Sequence, residues 1–190
     1  MKSILLAGFP RGFTSQVHTL MVRSLPGYDA TRVSAGEVLN QQRNDVLQQK
    51  FRFYIRPEDA GFDDVYSALA PILDDHARGY IVKDVVQPFV VGRYLERNPD
   101  VFDALFLMRN LAHVRFALDR KGWGFAKRLE DVVELHRDHP VLDATRIMYE
   151  PDYFFEFLEQ RYDRVRRWNY LTGEFVEKRE RFLRDFEASL

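Results

Sequence analysis

No cysteine occurs in these 190 residues, which excludes a disulfide framework, thiol catalysis and Cys-ligated metals, and is compatible with a reducing compartment. Net charge is nearly absent as well. With 28 Lys and Arg against 29 Asp and Glu, the whole-molecule field has no general attraction for nucleic acid or an anionic membrane, so any anion site has to be local. Long apolar runs are also missing. The first run follows a single Lys2, is strand-sized and ends at Pro10, too short for a signal-peptide core. No stretch approaches the roughly 20 apolar residues of a membrane span. A cytoplasmic protein without membrane or nucleic-acid partners is expected. The chain has no internal repeat, low-complexity tract or Gly/Ser/Pro linker, so a single domain over 1–190 is expected.

What is present is enough for one substantial core: 46% of the residues are hydrophobic, 16 of them Phe. Strands are expected at 3–9, 31–34, 80–86, 104–108 and 145–149, separated by segments of helical period at 16–24, 36–51, 63–77 and 89–96. This alternation predicts an α/β three-layer sandwich with a central parallel sheet of about five strands. The runs Ile81-Val82-Lys83-Asp84-Val85-Val86 and Ala104-Leu105-Phe106-Leu107-Met108 suit strands covered on both faces. The aromatic, charge-rich tail, 152–190, reads as two helices that close the core.

The chemistry begins where the first strand stops. Gly8-Phe9-Pro10-Arg11-Gly12-Phe13-Thr14-Ser15 is a tight loop delivered to a helix N-terminus. That geometry aims unpaired amides and the positive end of the helix dipole at one anion. Arg11, Thr14 and Ser15 add side-chain donors. The frame has the length of a Walker loop, but Phe13 and Thr14 stand where that motif has its second glycine and its lysine, which argues against ordinary ATP use. Thr14 and Ser15 also read as helix N-caps.

Ligands of open parallel sheets sit beyond the carboxyl ends of the strands. That edge is expected to gather Arg11, Thr14, Ser15, Glu37, Lys83, Asp84, Arg109 and Glu150. Glu37 reads either as the last residue of a capping box, Ser34-Ala35-Gly36-Glu37, or as a general base. Lys83 and Asp84 read as a strand-end ion pair, a turn contact or site residues. Arg109 either pairs with a carboxylate or forks a phosphate. His136 and His139 share a helical face without the acidic partners of a metal motif and read as surface residues. Arg164, Arg166 and Arg167 around Trp168 read as a solvated face or as a polyanion clamp.

Taken together, these segments resemble the sulfotransferases that use 3'-phosphoadenosine-5'-phosphosulfate (PAPS), over about the first two-thirds of the chain. Pro10-Arg11-Gly12-Phe13-Thr14-Ser15 resembles the family's phosphate loop with the glycine displaced. Gly36-Glu37 resembles the pair whose glutamate is the base in bacterial and protein-tyrosine members. Lys83-Asp84 and Leu107-Met108-Arg109-Asn110 resemble the ends of the next two strands. The resemblance implies a P-loop-type fold and in-line sulfuryl transfer from PAPS to a small-molecule or peptide hydroxyl or amine, leaving adenosine 3',5'-bisphosphate, with no metal. It implies catalytic roles for Glu37, Arg11 and Lys83. Cofactor binding is implied for Arg11, Gly12, Phe13, Thr14, Ser15 and Arg109, with Arg115, Arg120 or Lys121 compensating for Ala117, which stands where the family has a phosphate-binding serine. The segments 41–78 and 119–143 are expected to wall the acceptor. A homodimer is compatible with the sequence and not required by it.

Overall fold

The computed structural model describes residues 1–30, 36–40 and 52–189. Its centre is an all-parallel sheet whose body is four strands: β1 (Ser3–Gly8), β3 (Tyr80–Asp84), β4 (Phe102–Met108) and β5 (Val141–Asp143). A two-residue edge strand, β2 (Asp29–Ala30), pairs with β3 and completes the order β2-β3-β1-β4-β5. Four strands of ordinary length therefore stand where about five were expected, and the strand expected at 31–34 lies outside the described residues.

Strand residues alternate between two cores. Leu5, Ala7, Val82, Ala104 and Phe106 point to one side. There they meet α2 (Phe62–Asp75), α3 (Pro88–Arg97), α4 (Leu111–Asp119) and α5 (Leu129–Leu135), through residues such as Leu69, Val90, Val114 and Val132. Ile4, Leu6, Ile81, Leu105 and Leu107 point to the other side. They meet α1 (Thr14–Ser24), α6 (Ala144–Ile147) and α7 (Pro151–Glu159), through residues such as Met21, Ile147 and Phe154. Apolar side chains on both faces are what a parallel strand needs when helices cover it on each side. The result is three layers.

Strand β1 lies between β3 and β4, with Leu5 opposite both Val82 and Ala104. The helix after β1 packs on one face, while those after β3 and β4 pack on the other. Both flanks of β1 are therefore topological switch points, where such sheets open a crevice at their carboxyl edge.

The expected strand at 145–149 is a helix. Asp143 ends β5, and its carboxylate accepts from the amides of Thr145 (2.7 Å) and Arg146 (3.2 Å), which starts α6 there. The helix expected over 36–51 also fails to begin where predicted. Residues 36–40 form turns, closed by Val38 N to Gly36 O and Asn40 N to Glu37 O; the remainder, 41–51, lies outside the described residues. In the tail, α7 enters the core, whereas the last helix, α8 (Glu174–Glu187), buries none of its residues fully. It lies across the sheet's carboxyl edge, with Phe175 packed against the second core.

Candidate functional site

Beyond Gly8 the chain turns sharply, with the Gly12 amide donating to the Phe9 carbonyl (2.9 Å). Arg11 (φ 63°) and Phe13 (φ 74°) both adopt the left-handed region that L-residues avoid, at about 1–2 kcal/mol each. Helix α1 then starts at Thr14, and its first bond runs from Val17 N to the Phe13 carbonyl (3.2 Å). The amides of Phe13, Thr14, Ser15 and Gln16 consequently have no backbone acceptor among the described residues, and the positive end of the helix dipole lies behind them. The loop is thus shaped as an anion cradle.

The detail differs from the sequence expectation. The cap position is Phe13, which makes no side-chain cap bond, so Thr14 and Ser15 are helical residues and not caps. Thr14 is buried, and a Cβ at Gly8 would lie 2.7 Å from its Cγ2, which is why α1 can come so close to β1. The Ser15 hydroxyl accepts from Lys83 Nζ (3.0 Å). Gly12 cannot offer its amide to a ligand, because Phe9 already accepts it.

Lys83 links this cradle to the carboxylate. Its side chain is 0% exposed and its ammonium pairs with Glu37 Oε1, while Glu37 Oε2 accepts from Asn40 Nδ2 (2.8 Å). Glu37 is 12% exposed and faces the cleft. Glu37 is therefore held as an ion-pair partner of Lys83; the Ser34 of the expected capping box lies outside the described residues. Asp84, next along the strand, turns to the interior and accepts from the amides of Val86 and Gln87. Burial pushes its carboxyl up to about 7, against those two amides, with Glu37 adding to the rise and Lys83 opposing it. Lys83 and Asp84 do not pair as neighbours; the lysine serves Glu37.

Arg109, at the end of β4, is 5% exposed, and its Nη1 donates to the Arg11 carbonyl (2.8 Å). The guanidinium lies 4.1 Å from the centre of the Phe182 ring, and its Nε is buried without a partner. Burial, and then the charge of Arg11, lower it to about 10. No carboxylate pairs with it among the described residues.

Arg11, Thr14, Ser15, Glu37 and Arg109 border a cleft of ≈ 880 Å³. The loop supplies one side. The end of α4 supplies Ala117, Arg120 and Lys121, followed by Trp123, and α8 supplies Lys178, Arg179, Arg181, Phe182 and Asp185. Seven cations and two carboxylates line it, Glu37 and Asp185 being the acids, so a nearly neutral chain has concentrated positive charge in one place. Asp185 is bonded to Arg120. The α8 residues escaped sequence reasoning, although a signal was available. Lys178, Arg181, Phe182 and Asp185 recur at the i, i+3, i+4, i+7 spacing of one helical face. On that face a single Phe sits among charges, unlike a core stripe.

Other expected residues are elsewhere. Arg115 is exposed and bonded to Glu130, away from the cleft. Glu150 follows a helix, not a strand, and pairs with Arg146 (2.7 Å). Arg167 is engaged by Glu159 and Asp152, and Trp168 donates to Ser24 Oγ (3.0 Å), so these residues of the basic cluster tie the tail to α7 and α1 and do not line the cleft. His136 is no surface residue: it is 1% exposed, stacks on Phe106 and meets His139 Nδ1 at 3.1 Å, and burial lowers it to about 3. No cluster of three metal-ligating side chains occurs among the described residues. Neither a family model nor a curated protein matches the chain.

Proposed function

We propose that this protein is a PAPS-dependent sulfotransferase on a P-loop-type fold, moving a sulfuryl group to a hydroxyl or amine of a small-molecule or peptide acceptor. The observation that carries the reading is Glu37, held from behind by the buried Lys83 and bordering the same cleft as the anion cradle and Arg109. A carboxylate aimed into a cation-rich cleft can take a proton from an incoming hydroxyl while the surrounding charge neutralises the transferring group.

The residues fit a multiply charged nucleotide. The unpartnered amides of the α1 terminus, the orphaned Arg109 Nε and the cationic excess of the cleft all call for several anionic oxygens. PAPS supplies the sulfuryl group and its anhydride. The loop amides, Arg11, Thr14 and Ser15 would hold the 5'-phosphate. Arg109 would hold the 3'-phosphate, with Arg120 and Lys121 beside Ala117 making good the missing hydroxyl. Lys83 holds Glu37 and Ser15 in place from beneath.

The test is calorimetric binding of adenosine 3',5'-bisphosphate beside AMP and Mg-ATP. Preference for the bisphosphate is expected, with turnover lost and binding retained in Glu37→Gln. Preference for ATP, or binding of none of the three, overturns the reading in favour of a phosphotransferase or a non-catalytic module.

A further inference from the structure

A buried imidazole lies behind the Glu37–Lys83 pair and takes no part in the proposed chemistry. His18 sits one helical turn after Ser15 on the inward face of α1. Its Nε2 is 2.8 Å from the carbonyl of Ile81. A carbonyl only accepts, so that nitrogen carries the proton. Desolvation lowers the ring's pKa and the Lys83 charge adds to this, while the bond to Ile81 and the Glu37 charge oppose it.

The same end of the ring also meets Gly36. A Cβ on Gly36 would lie 2.4 Å from His18 Nε2, so the backbone rests directly on the imidazole. Gly36 also has φ +75°, a conformation side chains rarely adopt. Glu37 follows at once. One ring therefore touches the three pieces that build the pair: α1, which supplies Ser15; β3, which supplies Lys83 two residues beyond Ile81; and the turn that carries Glu37.

We infer that His18 is a positioning residue that sets the Gly36–Glu37 turn at the height where the carboxylate meets Lys83. It touches no reacting atom. Through Ile81 it fixes the helix against the strand, and through Gly36 it fixes the turn against the helix. The inference deepens the proposed function and rests on it for the catalytic meaning of Glu37, but the positioning itself is read without any acceptor.

The reporter is the Lys83 Nζ resonance in protein carrying ¹⁵N-lysine, assigned by its loss in Lys83→Arg. His18→Ala is expected to move that resonance toward its position in Glu37→Gln. His18→Gln, which keeps an N–H near the place of Nε2, is expected to restore much of it. Leu142→Ala, a core cavity on β5, controls for general loss of stability and is expected to leave the resonance in place. If His18→Ala does not fold, Gly36→Ala applies the same test from the turn, since its Cβ collides with the ring. A Lys83 resonance unmoved in His18→Ala, or moved equally by Leu142→Ala, overturns the inference. Failure of the wild type to bind the bisphosphate, with the resonance still moved, overturns sulfuryl transfer and leaves His18 as the holder of the pair.

Discussion

Arg109 shows how one residue can point to a candidate site before any ligand is known. A buried guanidinium with an unpartnered Nε is destabilising unless something anionic meets it. A charge-assisted hydrogen bond contributes about 1.5–3 kcal/mol, so Arg109→Ala should weaken the bisphosphate about 10- to 100-fold and AMP far less. Equal losses for both nucleotides, measured by calorimetry, would remove Arg109 from 3'-phosphate recognition. Asp84 carries a different prediction. Its folded pKa is raised from 3.8 to about 7, so between those values the folded state holds a proton that the unfolded chain has released. Its contribution to stability is full below about pH 4 and is lost as pH rises through 7. Glu37, Lys83 and Tyr54 are the ionisable groups coupled to it. Asp84→Asn keeps an oxygen for the Val86 and Gln87 amides and removes the titration. Its stability relative to wild type should therefore rise between about pH 4 and pH 7 and level off above that in urea unfolding. A pH-independent difference would contradict the buried, late-titrating carboxyl.

Helix α8 is held by rings and charges in place of a buried stripe. Phe182 packs on His113 and Phe116 as well as on Arg109, and Phe175 meets Phe13 edge-on at 5.3 Å. Elements with few buried contacts open at low free energy. Phe182→Ala should accelerate tryptic cleavage within α8 and weaken bisphosphate binding while leaving the cooperative unfolding of the core nearly unchanged. Cleavage at the wild-type rate would mean that the rings do not seat the helix. The same element marks the limit of reading from sequence. Strands β1, β3 and β4 were legible because runs such as Ile4-Leu5-Leu6 are apolar on both faces, and the loop after β1 because Pro10 and Gly12 break the run. The segment 145–149 misled because Ile147-Met148-Tyr149 looks like a strand, and the Asp143 cap two residues before Thr145 decides otherwise. His136 misled because its polarity suggested solvent, whereas packing on Phe106 is long-range information. Glu37 was found but its partner was not. The bond to Lys83 depends on how the turn at 36–40 meets β3, which no local pattern encodes.

Across the whole molecule, the sheet order sets which parts can exist without the others. Among the described residues, strand β1 pairs only with β3 and β4, and β2 only with β3. A chain ending before Tyr80 therefore contains β1 and β2, which are not neighbours, and neither sheet partner of β1 described in the structure. A fragment covering 1–79 should be protease-sensitive and lack cooperative unfolding, whereas one extended through Met108 has all the partners of β1 and should show protection of that strand. Protection of the shorter fragment would contradict the observed order. During synthesis, Ile4-Leu5-Leu6 emerges before both of its partners and waits for Ile81 and then Ala104 before it is covered on both edges. Long-range parallel pairing of this kind is slow and exposes sticky segments meanwhile. The strand that leads into the loop after Gly8 is thus also an aggregation hazard of the nascent chain, and the demand for a chaperone should fall once the ribosome has passed β4.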